Sequence, residues 1–254
     1  MILKGEFLGW FQVTPLAAPW SYVALFGATA PAMALSAACV GLARVPAAAD
    51  DTQQSASWSG IRAGLREYFT RRLIVVALLG FLLTSAGGNM IMNNLALYVR
   101  VATGESPEAY TGIQLALRFG CKSLFGFVLG WLLARYHGKA PALATTMACL
   151  SGVLWAMVVP GKWYLLSFGL LGAGELFYVH YLNYIVGCSA PHRMRENTAY
   201  TNVILLAVSL MPVLYGAVSD YAGLPASFIL AATLLVIALL LVGLRLPNQP
   251  RATD

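Results

Sequence analysis

Three ionisable residues inside long apolar runs are the candidates in this sequence for ligand binding or ion coupling. Arg118 and Lys122 stand four residues apart in one run, and Glu175 lies near the middle of another. Charged side chains are costly within a bilayer, so those that occur there mark functional sites by default. Residues four apart share one face of a helix. Arg118 and Lys122 therefore place two cations on one face, which suits an anionic ligand.

Glu175 is the single acidic residue inside a predicted membrane span, and three roles are open for it. It could form a structural ion pair with Lys122 or Arg118, act as a proton-coupling carboxylate, or contact a substrate. Opposite charges nearby favour the ionised carboxylate, whereas burial opposes it. The sequence alone leaves open which effect dominates.

Other polar side chains lie close to these charges along the chain. Asn89 and Asn93 follow Gly87-Gly88 and stand four apart, so a regular helix would place both amides on one face. They either line a cavity and bind substrate or form hydrogen bonds between helices. Polar or aromatic tips around Glu175 come from Tyr178, His180, Tyr181 and Asn183.

Signatures of catalysis are missing from the sequence. It contains no G-x-x-x-x-G-K, H-E-x-x-H or G-x-S-x-G motif, so hydrolysis of nucleotides, peptides or esters has no support. Its four cysteines are far apart and include no C-x-x-C pair, as expected of small buried apolar residues. We therefore expect no enzyme, no catalytic residue, no metal ion and no cofactor.

Composition determines the elements that must position these residues. The chain has 254 residues, of which 59% are hydrophobic and 10% charged, against about 25% charged in soluble domains. A bilayer core about 30 Å thick needs about 20 apolar residues per helix. This predicts an all-α polytopic membrane protein with about seven transmembrane helices. The predicted spans lie at about 20–43, 73–98, 111–134, 140–160, 164–187, 198–218 and 225–244.

Basic residues lie between the apolar runs and set the orientation. Eleven Lys and Arg residues fall on one side of the predicted spans, and Arg100 and Lys162 fall on the other. The positive-inside rule places the richer side in the cytoplasm, together with the C-terminus. A net charge of +6 spread in this way indicates no nucleic-acid partner. The bilayer itself, of a plasma or bacterial inner membrane, is the expected surrounding.

Four segments result from this division. Residues 1–43 hold a short apolar stub and one span, 44–72 form a cytoplasmic linker, 73–245 form a six-helix bundle, and 246–254 form a cytoplasmic tail. The linker carries Trp58, Ile61, Leu65 and Tyr68 at helical spacing among arginines. This pattern is typical of an interfacial helix, although a solvated basic linker explains it equally well.

Two further patterns concern helix packing and bending. Gly126 and Gly130 form a G-x-x-x-G motif, which predicts close packing against another helix. Pro212 lies late in the span at 198–218 and lacks a backbone donor, so it predicts a kink that could serve as a hinge.

The segment between two predicted spans at 130–139 resembles the short basic loop motif of the major facilitator superfamily, G-x-L-x-D-R-x-G-R-K. The positions that agree are Gly130, Leu132, Arg135 and Lys139. Ala134 stands where the family usually has Asp, and His137 where it has Gly. The segment at 216–223 is similar to the turn that joins the last two helices of that superfamily.

This resemblance covers roughly residues 20–245 and implies the C-terminal half of such a transporter, preceded by the last helix of its N-terminal half. A secondary active transporter moving a small solute by alternating access is the implied function, with an anionic solute and proton coupling as options. The helices that carry Arg118 and Glu175 would border the central cavity. A missing N-terminal half or a second copy would complete the pathway. The alternatives are a seven-span receptor or scaffold and an inactive transporter fragment.

Overall fold

A computed structural model of the chain describes residues 34, 35, 38, 58–89 and 91–250. Residues 34, 35 and 38 are helical. From Trp58 onward the described residues form one unit, which contains helices and no strand. The predicted stub, most of the span at about 20–43 and the first part of the linker lie outside the described residues.

Ten α-helices succeed one another in this unit. They are α1 (Trp58–Thr70), α2 (Arg72–Thr84), α3 (Met92–Thr103), α4 (Thr111–Tyr136), α5 (Lys139–Val158), α6 (Leu166–Gly174), α7 (Phe177–Gly187), α8 (Met194–Leu205), α9 (Met211–Ala222) and α10 (Leu224–Arg245). A π-helix covers Ser85–Asn89, and short 3₁₀ segments cover Pro107–Tyr110, Gly161–Leu165, Pro191–Arg193 and Leu206–Leu210.

These helices combine into six segments that are long and apolar enough to cross a membrane. The segments are Arg72–Thr103, Pro107–Tyr136, Lys139–Val158, Gly161–Gly187, Pro191–Ala222 and Leu224–Arg245. They coincide with the last six spans expected from hydropathy, so the all-α polytopic membrane fold is confirmed. Three of the six segments contain irregular turns in mid-course, which hydropathy does not detect.

The core lies between α2, α5, α6, α7 and α10. Phe81 of α2 stacks on Tyr181 of α7 with ring centroids 5.7 Å apart and meets Phe177 edge-on at the same distance. In α10 every third or fourth residue from Ala231 to Val242 is buried, which defines one packed face. By contrast, α4 has two buried residues in 26, Gln114 and Leu129. Most of α4 is thus left uncovered by the described residues.

Glycines allow α6 to pack closely against its two neighbours. A Cβ added at Gly172 would overlap the backbone of Arg118 in α4, and one at Gly174 would lie 2.8 Å from the Cys149 amide nitrogen in α5. The close packing predicted for the G-x-x-x-G motif is not found there. Gly130 has nothing within 4 Å among the described residues, and Gly126 has Leu176 at 3.9 Å. Close packing of the motif against another helix therefore stays a prediction.

Helix α1 is attached to α8 by polar contacts at one end of the bundle. The Tyr68 hydroxyl lies 2.8 Å from Thr201 Oγ1, and Arg193 contacts Glu67 at 2.9 Å. Burial raises the pKa of Tyr68, although the hydrogen bond to Thr201 opposes that shift. Trp58, at the other end of α1, is exposed. The second half of the predicted linker is therefore helical, and its location at a membrane surface stays a prediction.

Candidate functional site

The carboxylate of Glu175 binds two cations of α4, Arg118 and Lys122, and these three residues form what we call the charged centre. Oε1 contacts Arg118 Nη2, and Oε2 lies 3.3 Å from Lys122 Nζ. The Glu175 side chain is 8% exposed, whereas those of Arg118 and Lys122 are 31% and 35% exposed. With all three residues ionised, the charged centre carries one excess positive charge.

Local backbone structure explains why Glu175 contacts Arg118 and Lys122. Arg118 and Lys122 are separated by one turn of α4, so both extend from the same face. Glu175 stands at the break between α6 and α7, in mid-course of the segment Gly161–Gly187. Gly172, one turn earlier, brings the two backbones into contact. The break and the glycine together place a carboxylate beside α4.

Electrostatics makes the charged centre sensitive to the loss of any member. Removing one partner of a buried ion pair commonly costs about 3–5 kcal/mol, because the other charge is left without compensation. The cost is smaller where a side chain reaches solvent, as both cations do here. Arg118 Nε is buried and has no hydrogen-bond partner among the described residues. The Nε–H group therefore has no acceptor within the part of the chain that the structure describes.

The aromatic and imidazole candidates near Glu175 lie beside the charged centre rather than in it. The Tyr178 hydroxyl is 3.4 Å from Ser85 Oγ, and its ring stacks on Phe177 at 4.5 Å. His180 is half-buried. Within the described residues, neither side chain forms a hydrogen bond with the Glu175 carboxylate.

The expectation that Asn89 and Asn93 share one face rests on a regular helix, and that assumption was wrong. Ser85–Asn89 is a π-helix, and α3 starts only at Met92. A π turn takes up an extra residue and rotates the helical residues after it. Consequently Asn93 is exposed and Asn94 is buried instead. Asn94 Nδ2 donates to Ser219 Oγ at 2.8 Å and to Ser227 Oγ at 3.0 Å.

A buried hydroxyl cluster next to the core includes two threonines that the sequence does not single out. Thr84 Oγ1 lies 3.0 Å from Thr146 Oγ1, and the Tyr181 hydroxyl lies 2.9 Å from Thr146 and 3.3 Å from Thr84. The three residues connect α2, α5 and α7. Threonine is common in membrane helices and usually bonds its own backbone, so composition could not have identified this cluster.

The loop motif lies at the end of the bundle where α4 meets α5. Arg135 is exposed in the last turn of α4, and Lys139 Nζ donates to the Gly243 carbonyl oxygen at 2.7 Å. His137 has a φ of 65°, a conformation that favours glycine. That is the position at which the family motif has Gly. His137 also lies 2.9 Å from Gln249, so the chain after α10 lies against this loop.

Pro212 lies in the first turn of α9, directly after the 3₁₀ segment Leu206–Leu210. The segment Pro191–Ala222 is therefore interrupted next to the proline. This irregularity matches the predicted kink, and motion about it stays a prediction.

The fold and its charged centre define a multi-pass α-helical membrane protein. Comparison with known families adds the class: the sequence profile of the Major Facilitator Superfamily matches residues 84–254, more than half of the chain. The chain belongs to the major facilitator superfamily, and it is a transporter by that membership. No curated protein matches its sequence.

Proposed function

We propose that this transporter moves a small anionic solute by alternating access and that the charged centre binds the solute. The observation that carries the proposal is the excess positive charge of Arg118 and Lys122 over Glu175 in the middle of membrane-crossing segments. An uncompensated cation in a low-dielectric medium is unfavourable. An anion that binds there removes this penalty.

The unequal exposure of the three side chains supports this function. Arg118 and Lys122 are each about one third exposed, while Glu175 is almost fully buried. A solute could therefore contact the cations while the carboxylate stays buried. Arg118 offers a planar guanidinium, whose shape suits carboxylate or phosphate oxygens. Lys122 adds a second point charge.

Proton coupling is consistent with the same geometry. When an anion binds Arg118 and Lys122, it shares with Glu175 the two cations that the carboxylate contacts. Uptake of a proton would relieve the repulsion between the two anionic groups. Anion binding and proton uptake would assist each other, which corresponds to symport. Glu175 would then have both roles: an ion-pair partner when no anion is bound, and the proton-coupling carboxylate when one is.

We infer that a second six-helix half, supplied by an N-terminal half or another copy, covers α4. Transporters of this family bind solute between two halves that move against each other. On α4, Leu124 and Phe127 are 70% and 80% exposed, and a Cβ at Gly120 would meet nothing within 4 Å. The C-terminus would lie in the cytoplasm, as the charge bias predicts.

Ligand-induced thermal stabilisation of the purified protein tests the binding step. Stabilisation should occur with one or more of chloride, acetate and lactate, and not with neutral or cationic analogues, because binding to the folded state raises its stability. Lys122→Gln should abolish the effect. Lys162→Gln is the matched control, since Lys162 is 72% exposed and pairs loosely with Glu105 at 3.9 Å. Equal stabilisation by neutral analogues would contradict an anion site.

A further inference from the structure

A basic cleft opens at the end of the bundle where α4 turns into α5. Its volume is about 520 Å³, within the usual range for small-ligand sites. The residues that can bind a ligand there are Arg135, Tyr136, His137, Lys139 and Asn248. The charged centre lies on α4 as well, but Lys122 precedes Arg135 by 13 residues, or roughly 20 Å of helix. The basic cleft and the charged centre are therefore separate sites.

The charges of the basic cleft are not neutralised within the described residues. No described carboxylate pairs with Arg135 or Lys139. Lys139 Nζ is held in place by the Gly243 carbonyl oxygen at 2.7 Å and retains two further N–H donors. Arg135 is exposed and can offer its guanidinium fork. Two cations, one of them held in place and neither paired with a described carboxylate, suit a group with several anionic oxygens.

The backbone around the cleft is held by the chain after α10. The Lys139 amide donates to the Asn248 carbonyl oxygen at 3.3 Å, and Gln249 contacts the His137 ring at 2.9 Å. Helix α5 begins at Lys139 and has no acidic residue in its first turn, so no carboxylate of that turn neutralises its positive end. The geometry of the cleft is therefore present before a ligand binds.

We propose that the basic cleft binds a phosphate group, either that of an anionic lipid headgroup or that of a soluble phosphorylated compound. Trp131 and Tyr136 support a lipid, because both rings are exposed and lie 5.9 Å apart beside the cleft. Aromatic side chains of this kind are common at headgroup depth. Basic residues on the cytoplasmic side meet the anionic lipids of that leaflet.

Two binding measurements distinguish the sources. The first titrates inorganic phosphate into protein in detergent, and the second compares vesicles of phosphatidylglycerol with vesicles of phosphatidylcholine, by thermal stabilisation in each case. Both use the Lys122→Gln background, so that phosphate bound at the charged centre does not contribute. A response to inorganic phosphate indicates a soluble ligand, and a response limited to phosphatidylglycerol indicates a lipid. Either one supports a phosphate site.

Substitutions test whether the thermal stabilisation comes from binding in the basic cleft. Arg135→Gln should weaken it about tenfold, the effect of one charge-assisted hydrogen bond, and Arg135→Lys should weaken it less. Arg245→Gln is the matched control, because Arg245 is exposed in the last turn of α10 and does not line the cleft. No response in either measurement, or equal losses in Arg135→Gln and Arg245→Gln, would overturn the proposal. If the charged centre bound no anion, the stabilisation expected from these measurements on the basic cleft would be unchanged.

Discussion

Gly172 of α6 lies directly against the backbone of Arg118 in α4, with no room for a Cβ between them. This contact brings the two helices together one turn before Glu175. The carboxylate can therefore contact the Arg118 guanidinium and lie 3.3 Å from the Lys122 ammonium. A residue without a side chain thus determines the position of the charged centre.

Gly172→Ala should destabilise the protein. The added methyl group overlaps the Arg118 backbone, and overpacking of this kind costs about 1–3 kcal/mol. Thermal unfolding in detergent measures the change. The control is Gly120→Ala, because nothing lies within 4 Å of that position and alanine favours a helix. Equal midpoints for the two variants would contradict the contact.

Neutralising Glu175 and Lys122 together should restore stability that either change alone removes. Glu175→Gln leaves two neighbouring cations unpaired, and we expect a loss of about 1–3 kcal/mol because both are partly exposed. The double variant keeps a single cation and should lose less than the sum. A double-mutant cycle on thermal midpoints measures the coupling. Strict additivity would show that the contact contributes nothing.

Glu175→Gln should uncouple uptake from the proton gradient. The wild type in proteoliposomes should take up the stabilising anion faster when the outside is acidic, since protonation of Glu175 accompanies binding. The glutamine variant has no proton to exchange, so its uptake should not respond to the gradient. Glu105→Gln provides the control, because Glu105 is 52% exposed and lies away from the charged centre. Uptake by Glu175→Gln that stays fully driven by the gradient would contradict proton coupling.

Asn94→Ala should destabilise the protein, whereas Asn93→Ala should have little effect. Asn94 donates two hydrogen bonds, to Ser219 and to the buried Ser227, and its loss leaves both hydroxyls with fewer partners. We expect about 1–3 kcal/mol for Asn94. Asn93 is exposed. Thermal unfolding of the two variants measures this difference, and a larger loss for Asn93 would show that the helix continues without the π turn.

The sequence predicts much of the fold because long apolar runs have few structural options in a bilayer. Backbone groups must be paired internally there, so each of the six apolar runs among the described residues gives a helical segment that can cross the membrane. Arg118, Lys122 and Glu175 are recognisable for a similar reason, since charge in an apolar run is rare. Their pairing, however, depends on Gly172 and on the helix break between α6 and α7. Hydropathy reveals neither feature.

Predictions that assume a regular helix are the ones that fail. Asn89 is the last residue of the π-helix that contains Gly87 and Gly88, whereas Asn93 belongs to α3, which begins after it. Those glycines allow α10 and α5 to approach: a Cβ at Gly87 would lie 2.8 Å from the Ala231 carbonyl oxygen, and one at Gly88 would lie 2.6 Å from Cys149 Sγ. Two adjacent glycines in mid-span are thus the signal that could have indicated the shifted register.

The most direct test of the central claim is equilibrium binding of the stabilising anion to protein in lipid bilayers. We compare the wild type, Arg118→Gln, Lys122→Gln and the control Lys162→Gln. If the excess charge of the charged centre binds the solute, Arg118→Gln and Lys122→Gln should bind it at least tenfold more weakly. The control should match the wild type. Undiminished binding by Arg118→Gln and Lys122→Gln would contradict the account.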